Sequence, residues 1–120
     1  MLEKNNSLKI GIIGYGVVGK AASNTFEKYY SVIKYDKFQD LDSFEQIGSC
    51  AFVFIMVPTP FDCNKNEVDL SAITESLMKL EEISYDGVVL IKSTIPPGSC
   101  DKFSEVFNLD IAFNPEFLRE

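Results

Sequence analysis

Lys9-Ile-Gly-Ile-Ile-Gly-Tyr-Gly-Val-Val-Gly-Lys-Ala-Ala-Ser-Asn-Thr-Phe26 is the stretch that decides the fold class. Residues 9–13 read as a buried strand, and they run straight into Gly14, Gly16 and Gly19, spaced G-x-G-x-x-G. Val17, Val18, Ala21, Ala22 and Phe26 then recur at helical spacing, so a helix is predicted through Tyr29. A strand that passes through a glycine turn into a helix begins a βαβ unit. In such a turn the first glycine permits the tight bend, the second lets a pyrophosphate come close to the backbone, and the third lets helix and strand pack. The helix N-terminus adds unpaired N–H groups and a partial positive charge on the same side.

Working outward, strands continue to alternate with helices, which predicts a parallel sheet. Residues 31–35 form a second strand ending at Asp36, and residues 41–47 a short amphipathic piece. Ala-Phe-Val-Phe-Ile-Met-Val at 51–57 is apolar on both faces, as a central parallel strand must be. Val57-Pro-Thr-Pro-Phe61 stops it, and a polar loop is expected next. Leu70, Ile73, Leu77, Leu80 and Ile83 mark a helix with Asp69 as its cap. Residues 88–92 read as a further buried strand, closed by Ser93-Thr-Ile-Pro-Pro-Gly98. A helix near residues 100–107 and a short strand at 111–113 complete the order. The chain reads as one α/β domain over 1–120: a Rossmann-like parallel sheet with helices on both faces, shortened after the second strand.

Asp36 gives the glycine turn a chemical direction. It lies 17 residues past Gly19 at the carboxyl end of the second strand, where an acid accepts the ribose hydroxyls of an adenosine. A carboxylate there repels a 2′-phosphate, so NAD is expected over NADP, a preference that the neighbouring Lys37 softens. Three more segments fall at strand carboxyl ends: Val57-Pro-Thr-Pro60, Lys92-Ser-Thr-Ile-Pro-Pro-Gly98 and Asn114-Pro-Glu-Phe-Leu-Arg-Glu120. Each alone reads as a turn. Together with the glycine turn they gather hydroxyls, an ammonium and carboxylates on one edge of the sheet.

Composition narrows the function classes. A formal net charge of −7 lacks the basic stripe of a nucleic-acid footprint. No apolar run approaches the roughly 20 residues that span a bilayer, and the N-terminus has no apolar signal core. A cytoplasmic setting is the expectation. With no histidine, His-based acid/base or triad chemistry has no residue to use. The three cysteines, Cys50, Cys63 and Cys100, lack metal-ligand spacing, so no metal site is expected and the thiols read as reduced.

Four motifs in sequence order resemble the N-terminal domain of the UDP-glucose/GDP-mannose dehydrogenase family: Ile12-Ile-Gly-Tyr-Gly-Val-Val-Gly19, Val57-Pro-Thr-Pro60, Ile91-Lys-Ser-Thr-Ile-Pro-Pro-Gly98 and Phe113-Asn-Pro-Glu-Phe-Leu-Arg-Glu120. The resemblance implies oxidation of a UDP- or GDP-linked sugar alcohol to the uronic acid, with two NAD consumed per sugar. In that family a cysteine of the C-terminal half traps the aldehyde as a thiohemiacetal, which a second hydride transfer converts to a thioester. Carried over motif by motif, Gly14, Gly16, Val17, Val18, Gly19 and Asp36 would hold adenosine and pyrophosphate. Val57, Pro58, Thr59, Pro60, Ser93 and Thr94 would lie along the dinucleotide towards the nicotinamide, with Thr94 also placing a water. Glu116 would be the general base or acid, and Glu120 would sit by cofactor and reaction centre. Glu116, Phe117, Leu118 and Arg119 would line the sugar.

Two departures accompany the resemblance. Asp36 and Thr59 are only 23 residues apart, where the family has an additional strand, so an edge of the sheet is expected to be missing. A basic cofactor contact after the aspartate has no clear counterpart. The C-terminal nucleotide-sugar domain, with its lysine, asparagine and nucleophilic cysteine, is not among these 120 residues. The expected partners are therefore that missing half and a nucleotide sugar, and neither nucleic acid nor membrane. A homo-oligomer is compatible with the sequence and not specified by it. The competing reading is a stand-alone dinucleotide-binding module without catalysis.

Overall fold

Each apolar run becomes a strand and each helical stripe a helix, and the parallel register follows from the crossovers between them. The computed structural model describes residues 5–93, 95, 96 and 98–113. In chain order the elements are β1 (Asn5–Ile13), α1 (Val17–Phe26), β2 (Tyr30–Tyr35), α2 (Phe44–Ile47), β3 (Phe52–Ile55), β4 (Phe61–Asp62), β5 (Glu67–Val68), α3 (Ser71–Glu82), β6 (Val88–Ile91), α4 (Ser99–Val106) and β7 (Asp110–Phe113). Five strands form one sheet in the order β2-β1-β3-β6-β7, and all its pairings are parallel. From β1 the chain steps outward to β2, then returns to the other side of β1 with β3. A reversal of this kind opens a crevice above the carboxyl ends of the strands that flank it.

Register decides which side chains share a face. Gly11, Val53, Val89 and Ile111 align across the sheet, as do Ile13, Ile55, Ile91 and Phe113. Because side chains alternate along a strand, these two rows look the same way. Val53, Ile55, Val89 and Ile91 are fully buried there against Ile47 of α2 and Ile73, Leu77 and Leu80 of α3, all at 0% exposure. Burying each such side chain contributes about 1.5–3 kcal/mol. On the other face α1 packs with Phe26 stacked on Phe54, ring centroids 5.1 Å apart, while Phe52 stays partly exposed. Tyr85 ties α3 back to the sheet, its buried hydroxyl donating to the Cys50 carbonyl at 2.8 Å.

Several boundaries differ from the sequence reading, each for a local reason. β1 begins at Asn5, pairing with Tyr30 across an irregularity before regular register resumes at Lys9. α1 stops at Phe26, short of Tyr29, and closes in a turn with Tyr29 N–H donating to the Phe26 carbonyl. The run at 51–57 is a strand only over Phe52–Ile55, because Pro58 brings no N–H and pushes Val57 off regular pairing. Where a polar loop was expected, β4 and β5 pair antiparallel, turning through Asn66 at φ 51°. Asp69 is not the cap of α3. Leu70 holds that position, and Asp69 Oδ1 accepts the Ser71 N–H at 2.9 Å from one residue further out.

The expected shortening after β2 takes a definite form. β2 is an edge strand, and the residues after it fold back along its open side. Asp36 bridges Gln39, the Lys34 N–H donates to Asp42 Oδ2 at 2.8 Å, and the Asp42 N–H donates to the Lys34 carbonyl at 3.0 Å. One aspartate thus takes, with side chain and amide, bonds that another strand would have made. Capping an edge this way also blunts it against pairing with other chains.

Candidate functional site

The glycine turn leaves β1 with Gly14 at φ 99°, a left-handed backbone that a side chain resists. Its carbonyl lies directly under Gly19, where a Cβ would collide with it. Gly16 is different: it caps α1 in extended conformation, makes no side-chain cap bond, and a Cβ there would meet none of the described residues within 4 Å. The first-turn amides of α1 are thereby left facing open space, which suits an anion.

Asp36 is anchored to this turn. Its Oδ2 accepts the Tyr15 N–H at 2.7 Å and its Oδ1 the Phe38 N–H at 2.9 Å. Gln39 completes the tie by donating its side-chain amide to the Tyr15 carbonyl at 2.8 Å. A carboxylate has about four acceptor positions, so two remain for a ligand. At the far end, Ser93 donates its hydroxyl to the Val57 carbonyl at 2.7 Å, pinning the end of β6 to the end of β3.

These parts surround one crevice of about 650 Å³ along the carboxyl edge of the sheet. Gly14, Gly16, Val17, Val18 and Asp36 line it, and so do Val57, Pro58, Thr59 and Ser93. Two residues expected there stand elsewhere. Gly19 packs beneath the turn, and Pro60 opens the β4–β5 hairpin by accepting the Asp69 N–H at 2.7 Å. Thr94, Glu116, Phe117, Leu118, Arg119 and Glu120 lie outside the described residues.

The crevice also has a wall the sequence reading missed. Tyr35, Phe38 and Phe44 bring rings to it, and Glu75 and Lys79 reach it from α3. Lys79 donates to the Tyr35 hydroxyl at 2.9 Å, and its ammonium sits 5.1 Å from the Tyr35 ring and 5.6 Å from that of Phe44. Glu75 lies between two lysines, 3.1 Å from Lys37 Nζ and 3.9 Å from Lys79 Nζ. Glu75 and Lys79 sit one turn apart on α3, a pairing visible in the sequence. That they line the same crevice as Asp36 depends on how α3 packs, which no local pattern reveals.

The described cysteines are not placed for nucleophilic work in the crevice. Cys50 is buried in the core, and that burial pushes its thiol up to about 11, far from a reactive thiolate. Cys63 is exposed in the β4–β5 turn and does not line the crevice. Among the described residues no helix is long and apolar enough to cross a membrane.

Fold and turn together define a Rossmann-like α/β domain with its crevice at the switch point. Residues 27–120 match the NAD binding domain of the UDP-glucose/GDP-mannose dehydrogenase family. The chain belongs to that family. The match begins after the glycine turn, so the turn's geometry is an independent observation. The UDP-glucose 6-dehydrogenase of Rickettsia bellii is 39% identical over 82 residues, 63% of this chain and 19% of that protein. The enzyme of the same name from Streptococcus pneumoniae is 34% identical over 95 residues, 78% of this chain and 24% of that protein. A crystal structure of GDP-mannose dehydrogenase from Pseudomonas aeruginosa, in a ternary complex, superposes with a TM-score of 0.70 at 21% identity. That superposition covers 92% of this chain and 36% of the other, and it shows the shared fold. The matched stretch thus spans at most a quarter of the length of these two sequence relatives.

Proposed function

We propose that this chain is the NAD-binding half of a cytoplasmic nucleotide-sugar dehydrogenase that oxidises a UDP- or GDP-linked sugar alcohol to the uronic acid. The observation that carries the reading is the crevice at the switch point, with open space above Gly16 and an anchored acid at Asp36, in a chain of this family. The residues present fit the cofactor. The α1 amides with Gly14, Gly16, Val17 and Val18 receive the pyrophosphate, and the free acceptor positions of Asp36 take the ribose hydroxyls. Val57, Pro58, Thr59 and Ser93 extend the floor towards the nicotinamide.

NAD, when bound, supplies a hydride acceptor, and an alcohol needs two such transfers to reach the acid. Glu116 and Glu120 bring carboxylates able to accept protons, Thr94 a hydroxyl able to place a water, and Phe117 to Arg119 a lining for the sugar. These 120 residues offer no exposed crevice thiol among those described to hold an aldehyde between the two transfers. On this reading, covalent retention and the nucleotide pocket belong to the larger share of the relatives that this chain does not match.

The test combines the chain with NAD and UDP-glucose, GDP-mannose or UDP-N-acetylmannosamine and follows NADH absorbance. No NADH is expected from the 120 residues alone. Supplying the C-terminal portion encoded with it should restore production, which Glu116→Gln should then slow. Steady NADH from the isolated chain would overturn the half-enzyme reading. NAD binding with no turnover in either arrangement would favour a non-catalytic dinucleotide module.

A further inference from the structure

The charges around Asp36 are not arranged as neighbours in sequence suggest. Lys37 adjoins the acid expected to meet the ribose, and a lysine there is a ready partner for a 2′-phosphate. Its ammonium is engaged instead across the crevice, 3.1 Å from Glu75 Oε2 on α3, and it also lies 5.8 Å from the Phe38 ring. Lys79, a second cation lining the crevice, is held by the Tyr35 hydroxyl and the two rings already described. Glu75 therefore does two things at once. It occupies Lys37, and in doing so it bridges the residue next to Asp36 to α3.

We propose that Glu75 is a specificity-determining residue, which withholds Lys37 from a 2′-phosphate and so makes the crevice select the unphosphorylated adenine dinucleotide. The proposal rests on the cofactor reading above. Lys37 and Glu75 side chains are 56% and 43% exposed, so the pair works through water and weakens as salt rises. Asp36 disfavours NADP by direct repulsion, and Glu75 removes the compensation that Lys37 would otherwise supply.

The experiment measures NAD and NADP affinities by calorimetry for the wild type, Glu75→Gln, Lys37→Met and the double variant. In Glu75→Gln the preference for NAD over NADP should fall about fivefold at low salt, the upper range for one exposed ion pair. In Lys37→Met the preference should hold, because that cation is already occupied. The double variant should lose the gain seen in Glu75→Gln, and raising the salt should shrink that gain. An unchanged preference in Glu75→Gln, or an undiminished gain in the double variant, overturns the role of the pair while leaving NAD binding in place. A wild type that binds neither dinucleotide overturns the cofactor reading as well.

Discussion

On its sheet side the glycine turn is packed against backbone, where a Cβ at Gly14 would stand 2.7 Å from the Met56 carbonyl oxygen. On its crevice side, two residues on, a Cβ at Gly16 would meet none of the described residues within 4 Å. Three glycines in one motif thus answer two different demands. Gly14 and Gly19 are required by the fold, since Gly14 passes against the Met56–Val57 backbone and α1 sits on β1 only with Gly19 over the Gly14 carbonyl. Gly16 is required by no close contact among the described residues. The space it leaves suits the ligand proposed for the crevice, so on that reading the two sides separate what the domain needs to fold from what it needs to bind.

The largest effect on folding is expected on the packed side. Gly14→Ala must place a methyl group against the start of the β3–α3 connection and hold an unfavourable backbone angle. Together these should lower stability by about 3 kcal/mol or more. Urea unfolding checks this, and an unchanged midpoint would show that the turn can relax and that the comparison is wrong. Asp36→Ala comes second, because Asp36 belongs to both sides. The Tyr15 and Phe38 amides lose their acceptor, which should cost about 1–2 kcal/mol of stability. NAD binding should weaken by about 1.5–3 kcal/mol as the ribose loses a charged acceptor. Calorimetry and unfolding on one preparation separate the two losses, and equal affinity of the wild type for NAD and NADP would remove Asp36 from its assigned place.

What could be read from the residues follows the same division. The strand–turn–helix stretch, the buried run around Val53 and the α3 stripe were legible because local periodicity and glycine spacing encode them. So was the shortened edge, from the few residues between Asp36 and Thr59. The plug made by Asp42 was not, since an aspartate that replaces a strand's hydrogen bonds has no spacing signature. Nor was the β4–β5 hairpin, whose strands are two residues each, too short for any alternation to show. The floor of the crevice was legible because a strand's carboxyl end is marked by the proline or glycine that follows. Its α3 wall was not. Glu75 and Lys79 look like a solvated helical pair until the packing of Ile73, Leu77 and Leu80 turns their side towards the crevice.

The smallest effect on folding should come from the substitution that does most to binding. Gly16 has φ −85° and ψ −154°, an extended backbone at the margin of the β region whose negative φ does not itself call for glycine. It is exposed, and its carbonyl's bond to the Lys20 N–H, 2.9 Å long, does not depend on the absence of a side chain. Gly16→Val should therefore leave the unfolding midpoint within about 0.5 kcal/mol of the wild type, as for ordinary surface changes. The same isopropyl group would stand beside the first-turn amides of α1, where the proposed pyrophosphate approaches. Dinucleotide binding should fall below detection in calorimetry that reads the wild type clearly. A variant that unfolds early would place Gly16 with Gly14 among the structural glycines. A variant that folds and still binds NAD would mean that the dinucleotide does not cross the turn at all, and the crevice would need another occupant.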